Sequence, residues 1–345
     1  MDIDLFDYDL PAELIAQHPV GRRDESRLMV LDRADGSMTI MPFACVIDYI
    51  GPGDILVVNN TKVFKARLWG RRQSGARVEI FLVRPLDEGL GLEWLALVSP
   101  SRRVKEGEAI AFDSDKVGLL NYFGDGQWRI AFNSRTQRER VISRHGHVPL
   151  PHYIKREDTP TDIRRYQTVF ADSQRVGAVA APTAGFHFTR SILNRLREKG
   201  VEVAELTLHV GPGTFKPVKV DRIEDHVVDP EFAELSPEAA GKINCVRERG
   251  GRVFAVGTTS VRTLESAAVA DGRVRPLARM VDLYIRPGYR FRLVDHMITN
   301  FHLPKSSLLI LVSAFAGRER ILQAYHQAVH NRMRFYSYGD AMLII

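Results

Sequence analysis

The chain has 345 residues, 45% of them apolar and 26% charged, which excludes a disordered or fibrous protein and predicts a folded chain of two domains, since single cores stop growing near roughly 250 residues. A net charge of +6 favours a polyanionic partner but falls well short of a histone-like surface. The two cysteines, Cys45 and Cys245, lack CxxC spacing, so neither a disulfide framework nor a cysteine zinc site is expected.

In chain order, the acidic start MDIDLFDYDLPAELIAQHP has no basic region followed by an apolar core, and a cytoplasmic protein is expected. DLPAELIAQHP reads as a helix that Asp9 caps and Pro19 ends. RLMVLDRADGSMTIMPF reads as a hairpin about an Asp35-Gly36 turn. GDILVVNNTKVFKARL begins as an apolar strand and ends in the polar loop Asn59-Asn60-Thr61-Lys62, where sites tend to sit.

From Ala66 to about Phe132 six short alternating runs (ARLWGRR, ARVEIFLVRP, EWLALVSP, EAIAFD, GLLNYF, QWRIAF) recur with Gly, Asp and Pro between them, the texture of a small β-barrel. Beyond about residue 150 the pattern becomes mixed. Strand RVGAVAAP, helix SILNRLREKG, strand VEVAELTLHV, helix SPEAAGKINCVRERG, strand RVFAVGTTS and helix VRTLESAA predict an α/β layer with a largely parallel sheet. The expected fold is therefore a mixed α/β body, residues 1–62 and 150–345, interrupted by an inserted small β-barrel domain at 63–149. The most apolar stretch, SSLLILVSAFAG, is too short to span a membrane, for which about 20 residues are needed.

Several loops gather small, polar and aromatic residues more densely than folding needs: NNTKVFKARL, GHVPLPHYI, RRYQTVFA, GAVAAPTAGFHFT, LTLHVGPGTFKPV, VGTTSVRTLE, ITNFHLPKSSLLILVSAFAG and RFYSYGDAMLI. Taken singly, Gly211-Pro212-Gly213 reads as a turn, and His187 and His209 read as hydrogen-bonded core histidines. In the run 256–261 a buried strand meets a helix start rich in hydroxyls, which serves either as a plain N-cap or as a seat for a carboxylate or phosphate. The basic stretches Arg71-Arg72, Arg102-Arg103 and Arg138 to Arg144 read as solvated faces or as an RNA-facing surface. No GxGxxG, GxxxxGK[ST] or HExxH is present, so no dinucleotide fingerprint, Walker loop or metal site is expected.

Together and in this order, these segments resemble the S-adenosylmethionine:tRNA ribosyltransferase-isomerase family of queuosine biosynthesis, from DYDLPAELIAQHP to YSYGDAMLI. The resemblance implies an α/β body with a β-barrel insertion. It also implies transfer and isomerisation of the ribosyl moiety of S-adenosylmethionine onto 7-aminomethyl-7-deazaguanine at the tRNA wobble position, with adenine and methionine released. S-adenosylmethionine is then a consumed co-substrate, the partner is tRNA carrying that base, and no prosthetic group, metal, membrane or obligate protein partner is expected. A sulfonium acidifies its neighbouring 5′ hydrogens and makes methionine a good leaving group, so the protein must supply a base, a proton for adenine and a pocket poor in water.

On this reading His187, His209, His226 and Glu231 are expected to transfer protons. Asn60, Lys62, Arg165, Tyr166, Thr183, Thr214, Thr258, Thr259, Ser260, Asn300 and His302 are expected to position substrates, and Arg71, Arg72, Arg102 and Arg103 to face tRNA. The family often carries a second histidine three residues after His226, where this chain has Asp229; either Asp229 substitutes for it or the position is structural. The rival readings are an S-adenosylmethionine-dependent RNA methyltransferase, which would show a Gly-rich loop after its first strand, and a non-catalytic RNA-binding protein.

Overall fold

The computed structural model describes residues 1–345 apart from 88, 90, 216 and 217, and for 214 and 215 the backbone alone. The strand Ile55–Asn59 is buried at every position, as suits a central strand covered on both faces. It pairs in parallel with Glu202–Leu208 on one side and Val253–Val256 on the other, and the latter pairs in parallel with His296–Asn300. In chain order these four strands lie 2-1-3-4 across the sheet. Connections therefore leave the first strand in opposite directions, and a crevice opens at the carboxyl ends of the first and third. Beyond them the sheet turns mixed: Ala341–Ile344, Arg27–Leu31 and Met38–Pro42 complete one edge, and Glu231–Leu235 and Leu277–Val281 the other.

Alternation along the central strand builds two layers. Ile55 and Val57 pack with buried side chains of the helices Pro237–Glu248, Gly257–Ala267, Ser307–Ala316 and Arg318–His330. Leu56 and Val58 pack against Phe43, Phe188 and the helix Arg190–Glu198.

The six alternating runs become the strands Arg67–Arg71, Arg77–Pro85, Glu93–Ser99, Ala109–Phe112, Asp115–Gly124 and Gln127–Ala131. They pair antiparallel into a closed barrel, completed where Arg71 pairs with Ala111. Leu68, Ile80, Val98, Ile110, Leu119 and Ile130 fill its interior. The protein is thus the expected mixed α/β fold with a small barrel. Among the described residues no helix is long and apolar enough to cross a membrane, and SSLLILVSAFAG is instead the core helix Ser307–Ala316.

Two local expectations are corrected, and one helix is added. DLPAELIAQHP holds only a 3-10 turn, Ala12–Leu14, because Ile15 bridges to Phe335 and the Leu14 carbonyl accepts the Phe335 N–H, drawing the segment into extended backbone. RVGAVAAP forms a three-residue strand, Val176–Ala178, paired with Lys62–Val63 outside the main sheet. The helix Arg135–His145, capped by Ser134 on the Gln137 N–H, was not foreseen in the polar sequence after the barrel strands.

Candidate active site

The carboxyl ends of the parallel strands converge on one cleft. The strand Val253–Val256 feeds Gly257, Thr258 and Thr259 into its wall, and His296–Asn300 feeds Thr299, Asn300 and His302. Pro182 and Thr183 come from the turn after Ala181, Val210 follows Glu202–Leu208, and Tyr153, Tyr336 and Ser337 close the remaining side. Asn59 ties the switch point together: its amide donates to Leu208 O (3.0 Å) and Thr259 Oγ1 (3.3 Å), while its Oδ1 accepts the N–H groups of Thr61 and Leu208 (both 3.1 Å).

The helix Gly257–Ala267 starts at the cleft wall with Val256 as N-cap and no side-chain capping bond. Its free first-turn N–H groups and the helix dipole suit an anion. Gly257 has φ +85°, a conformation that a side chain there would strain. Thr258 and Thr259 line the cleft as expected. Ser260 does not: it is fully buried, and its hydroxyl donates to Val256 O at 2.7 Å.

Asn300 is the hub of one wall. Its Nδ2 donates to the Tyr336 carbonyl (3.0 Å), which fixes the amide orientation because a carbonyl only accepts. His187 Nε2, 3.1 Å from that same Nδ2, must then accept, so the ring proton sits on Nδ1 and is donated to Ser26 Oγ at 2.7 Å. The Ser26 hydroxyl in turn donates a hydrogen bond to Arg23 O (3.2 Å). Thr183 Oγ1 donates to Asn300 Oδ1 (3.1 Å), and both residues face the cleft. Burial, with help from Arg23 and Arg334, pulls the His187 pKa down to about 3, so the ring is neutral and both nitrogens are engaged. That geometry argues against His187 as a proton carrier and makes it a prop for Asn300.

His302 is the histidine that lines the cleft among the described residues. Its Nε2 meets Thr299 Oγ1 at 2.8 Å, its backbone N–H donates to Tyr325 Oη (2.9 Å), and its carbonyl accepts from Tyr8 Oη (2.5 Å). Its Nδ1 has no partner among the described residues. Burial lowers its pKa to about 3.

A second cluster anchors the loop of Gly211-Pro212-Gly213. Glu231 Oε1 accepts the Gly211 N–H at 2.7 Å, while Oε2 pairs with Arg262 Nη1, and Arg262 itself is tied to Leu283 O (3.2 Å) and Val281 O (3.4 Å). The Asp229 carboxylate lies against Gly213, where a Cβ would sit 2.4 Å from Oδ2. Both carboxylates therefore shape the loop, which argues against Glu231 as a free base. His209 bonds Thr61 Oγ1 through Nδ1 (2.8 Å), stacks on Phe232 and lies flat on Gly177, where a Cβ would meet the ring at 2.8 Å. Burial lowers its pKa, as it does for His226, which packs edge-on against Tyr284. Neither ring lines the cleft.

Other expected residues disperse. Asn60 is spent on Glu205 (3.1 Å) and Thr207 (2.7 Å), and Lys62 sits in the short strand beside Val176. Tyr166 is fully buried between Phe186 and Tyr338, and burial raises its pKa. Arg165 lies in a neighbouring cavity, not in the cleft. Thr214 falls in the turn Pro212–Phe215, but its side chain is outside the described residues. On the barrel, Arg72 is neutralised by Glu108 (2.5 and 3.0 Å), and Arg71 is exposed and donates to Gly75 O (3.0 Å). Arg102 and Arg103 are exposed in a turn held to Trp128, whose Nε1 donates to Ser101 Oγ at 2.9 Å.

Ser26, Arg262, Tyr153 and Ser337 belong to these networks without having been singled out. The one usable signal is Arg262, a cation within the otherwise uncharged helix start GTTSVRTL, which implies a buried acidic partner.

A cleft at a topological switch point, walled by hydroxyls, an amide, a histidine and an uncapped helix start, defines an α/β enzyme acting on a small molecule. Residues 3–344 match the queuosine biosynthesis protein family. The chain is 49% identical to the S-adenosylmethionine:tRNA ribosyltransferase-isomerase of Aquifex aeolicus (strain VF5), covering 100% of both chains. It is 47% identical to the enzyme of that name from Trichlorobacter lovleyi, over 99% of this chain and 98% of that one. It resembles the crystal structure of S-adenosylmethionine tRNA ribosyltransferase from Thermotoga maritima, with a TM-score of 0.55 at 38% identity over 99% of this chain and 100% of the other. The chain belongs to the queuosine biosynthesis protein family.

Proposed function

We propose that the protein transfers and isomerises the ribosyl moiety of S-adenosylmethionine onto 7-aminomethyl-7-deazaguanine at the tRNA wobble position, releasing adenine and methionine, in the cytoplasm. The observation that carries this reading to the cleft is the convergence of parallel strand ends on one cavity that joins an anion seat, at Gly257 to Thr259, to a hydroxyl and amide wall. The seat suits the carboxylate of S-adenosylmethionine, and Thr183 and Asn300 suit its ribosyl hydroxyls. His302 is the proton-transfer group, because its unpartnered ring nitrogen belongs to a residue of the cleft wall. The lone pair on that nitrogen can accept a proton, and because burial lowers the ring's pKa the imidazolium so formed is acidic enough to pass the proton on, while the same burial keeps water from the sulfonium.

His187 keeps Asn300 in register, and Glu231, Asp229 and His209 shape the loops around the cleft. We assign residues 63–149 to an inserted domain whose exposed face, including Arg71, Arg102 and Arg103, meets tRNA. The test is to incubate pure protein with S-adenosylmethionine and tRNA bearing the aminomethyl base. Adenine and methionine should appear in equal amounts; S-adenosylhomocysteine instead would refute the reading and indicate a methyltransferase.

A further inference from the structure

Beside the cleft, and sharing Ser337 with it, lies a small recess open to solvent whose wall includes Arg23 and Arg165 and, among the described residues, no carboxylate. Buried or half-buried guanidinium groups are normally paired with acids. Among the described residues Arg165 has one bond, to Gly21 O at 2.7 Å, and its buried Nε has no partner there. Among the described residues Arg23 hydrogen-bonds carbonyls alone, those of Phe186 (3.2 Å), Arg164 (3.0 Å) and Gln167 (2.7 Å), and its guanidinium lies over the Phe186 ring. Of the acids nearby, Asp162 and Asp24 are committed elsewhere, and Glu25 offsets the Arg165 charge only from beyond ion-pair distance. Asp162, reached through Tyr338, is neutralised by Arg156 at 2.7 and 2.8 Å, Asp24 pairs with Arg22 at 3.2 Å, and Glu25 accepts the Arg22 N–H at 2.8 Å.

The two cations also feel one another. Burial first and then Arg165 lower the Arg23 pKa to about 10, and burial with Arg164 lowers that of Arg165. Two like charges on the wall of one recess repel each other, an oxyanion at its mouth would relieve that repulsion, and a planar guanidinium matches a phosphate in geometry.

We propose that Arg23 and Arg165 form a phosphodiester subsite that grips the tRNA backbone next to the base being modified. The proposal rests on the tRNA-modifying reading above. A phosphodiester is preferred to the carboxylate of the small co-substrate because the cleft already offers that carboxylate the helix start at Gly257. Adjacency through Ser337 places the subsite next to the reacting base, where it would fix the register of the nucleotide.

The experiment measures tRNA affinity against salt concentration for the wild-type protein, Arg165→Met and Arg165→Lys, with S-adenosylmethionine affinity measured alongside. Arg165→Met should weaken tRNA binding about tenfold to a hundredfold, the scale of a charged hydrogen bond, and lower the slope of log affinity on log salt by about 0.7 to 0.9. Arg165→Lys should recover most of the slope because it keeps the charge, and S-adenosylmethionine affinity should hold in both. Arg165 bonds only one carbonyl, so an unchanged thermal midpoint would confirm that the variants fold. An unchanged slope in Arg165→Met, or loss of S-adenosylmethionine affinity without a change of slope, would overturn the subsite while leaving the reaction intact. Failure of the wild-type protein to bind tRNA would overturn both.

Discussion

The strand ends of the α/β body and the outer face of the barrel both carry many polar groups, yet the two regions treat them in opposite ways. At the strand ends Asn59, His187 and Asn300 are buried, and each makes bonds through both ends of its side chain. On the barrel, Arg72 and Arg140 are matched by Glu108 and Asp115, while Arg102 and Arg103 stand exposed. A buried network fixes geometry, because an unsatisfied member costs the full desolvation of its group, whereas exposed cations adjust affinity by small, screened increments. The body thus carries the fixed polar geometry, and the barrel carries exposed, unmatched cations.

The sharpest contrast in stability comes from the buried Glu231–Arg262 pair. Glu231→Gln should cost about 3 to 5 kcal/mol in chemical denaturation, because Arg262 is left charged and buried and Gly211 loses a strong acceptor. A loss below about 1 kcal/mol would mean that the loop does not depend on the pair and would weaken the division between the two regions. At the small end, Arg102→Ala with Arg103→Ala should leave stability within about 0.5 kcal/mol, as expected of exposed positions. The same change should flatten the salt dependence of tRNA binding by somewhat less than one unit for each phosphate that is no longer neutralised. An unchanged slope would make this pair an ordinary solvated surface and leave tRNA contact to the body, at Arg23 and Arg165.

The same contrast explains what the sequence discloses. Local periodicity marks elements: the six alternating runs mark six barrel strands, and ILVVN marks the buried central strand, because side-chain alternation and continuous burial are written within a few residues. Segments such as GTTSVRTLE and TNFHLP stand out because strand ends must carry polar groups beside an apolar core. The role of each residue is set by partners far away in the chain. His187 meets Ser26 across 161 positions and Asn300 across 113, so nothing local shows that both ring nitrogens are occupied. Arg72 looks like a surface cation until Glu108, 36 positions on, folds against it. The start DLPAELIAQHP has a helical composition, but pairing with Phe335, at the other end of the chain, overrides it.

The central claim is that proton transfer takes place in the strand-end cleft, at His302. The most direct measurement is single-turnover formation of adenine and methionine by His302→Asn at saturating S-adenosylmethionine and tRNA, with the affinity of each substrate measured in parallel. The rate should fall by about a hundredfold or more, the scale of a lost general acid or base, while both affinities change by less than about threefold. A variant that turns over at the wild-type rate would contradict the assignment and send the search to His209 or His226, whose rings lie outside the cleft wall.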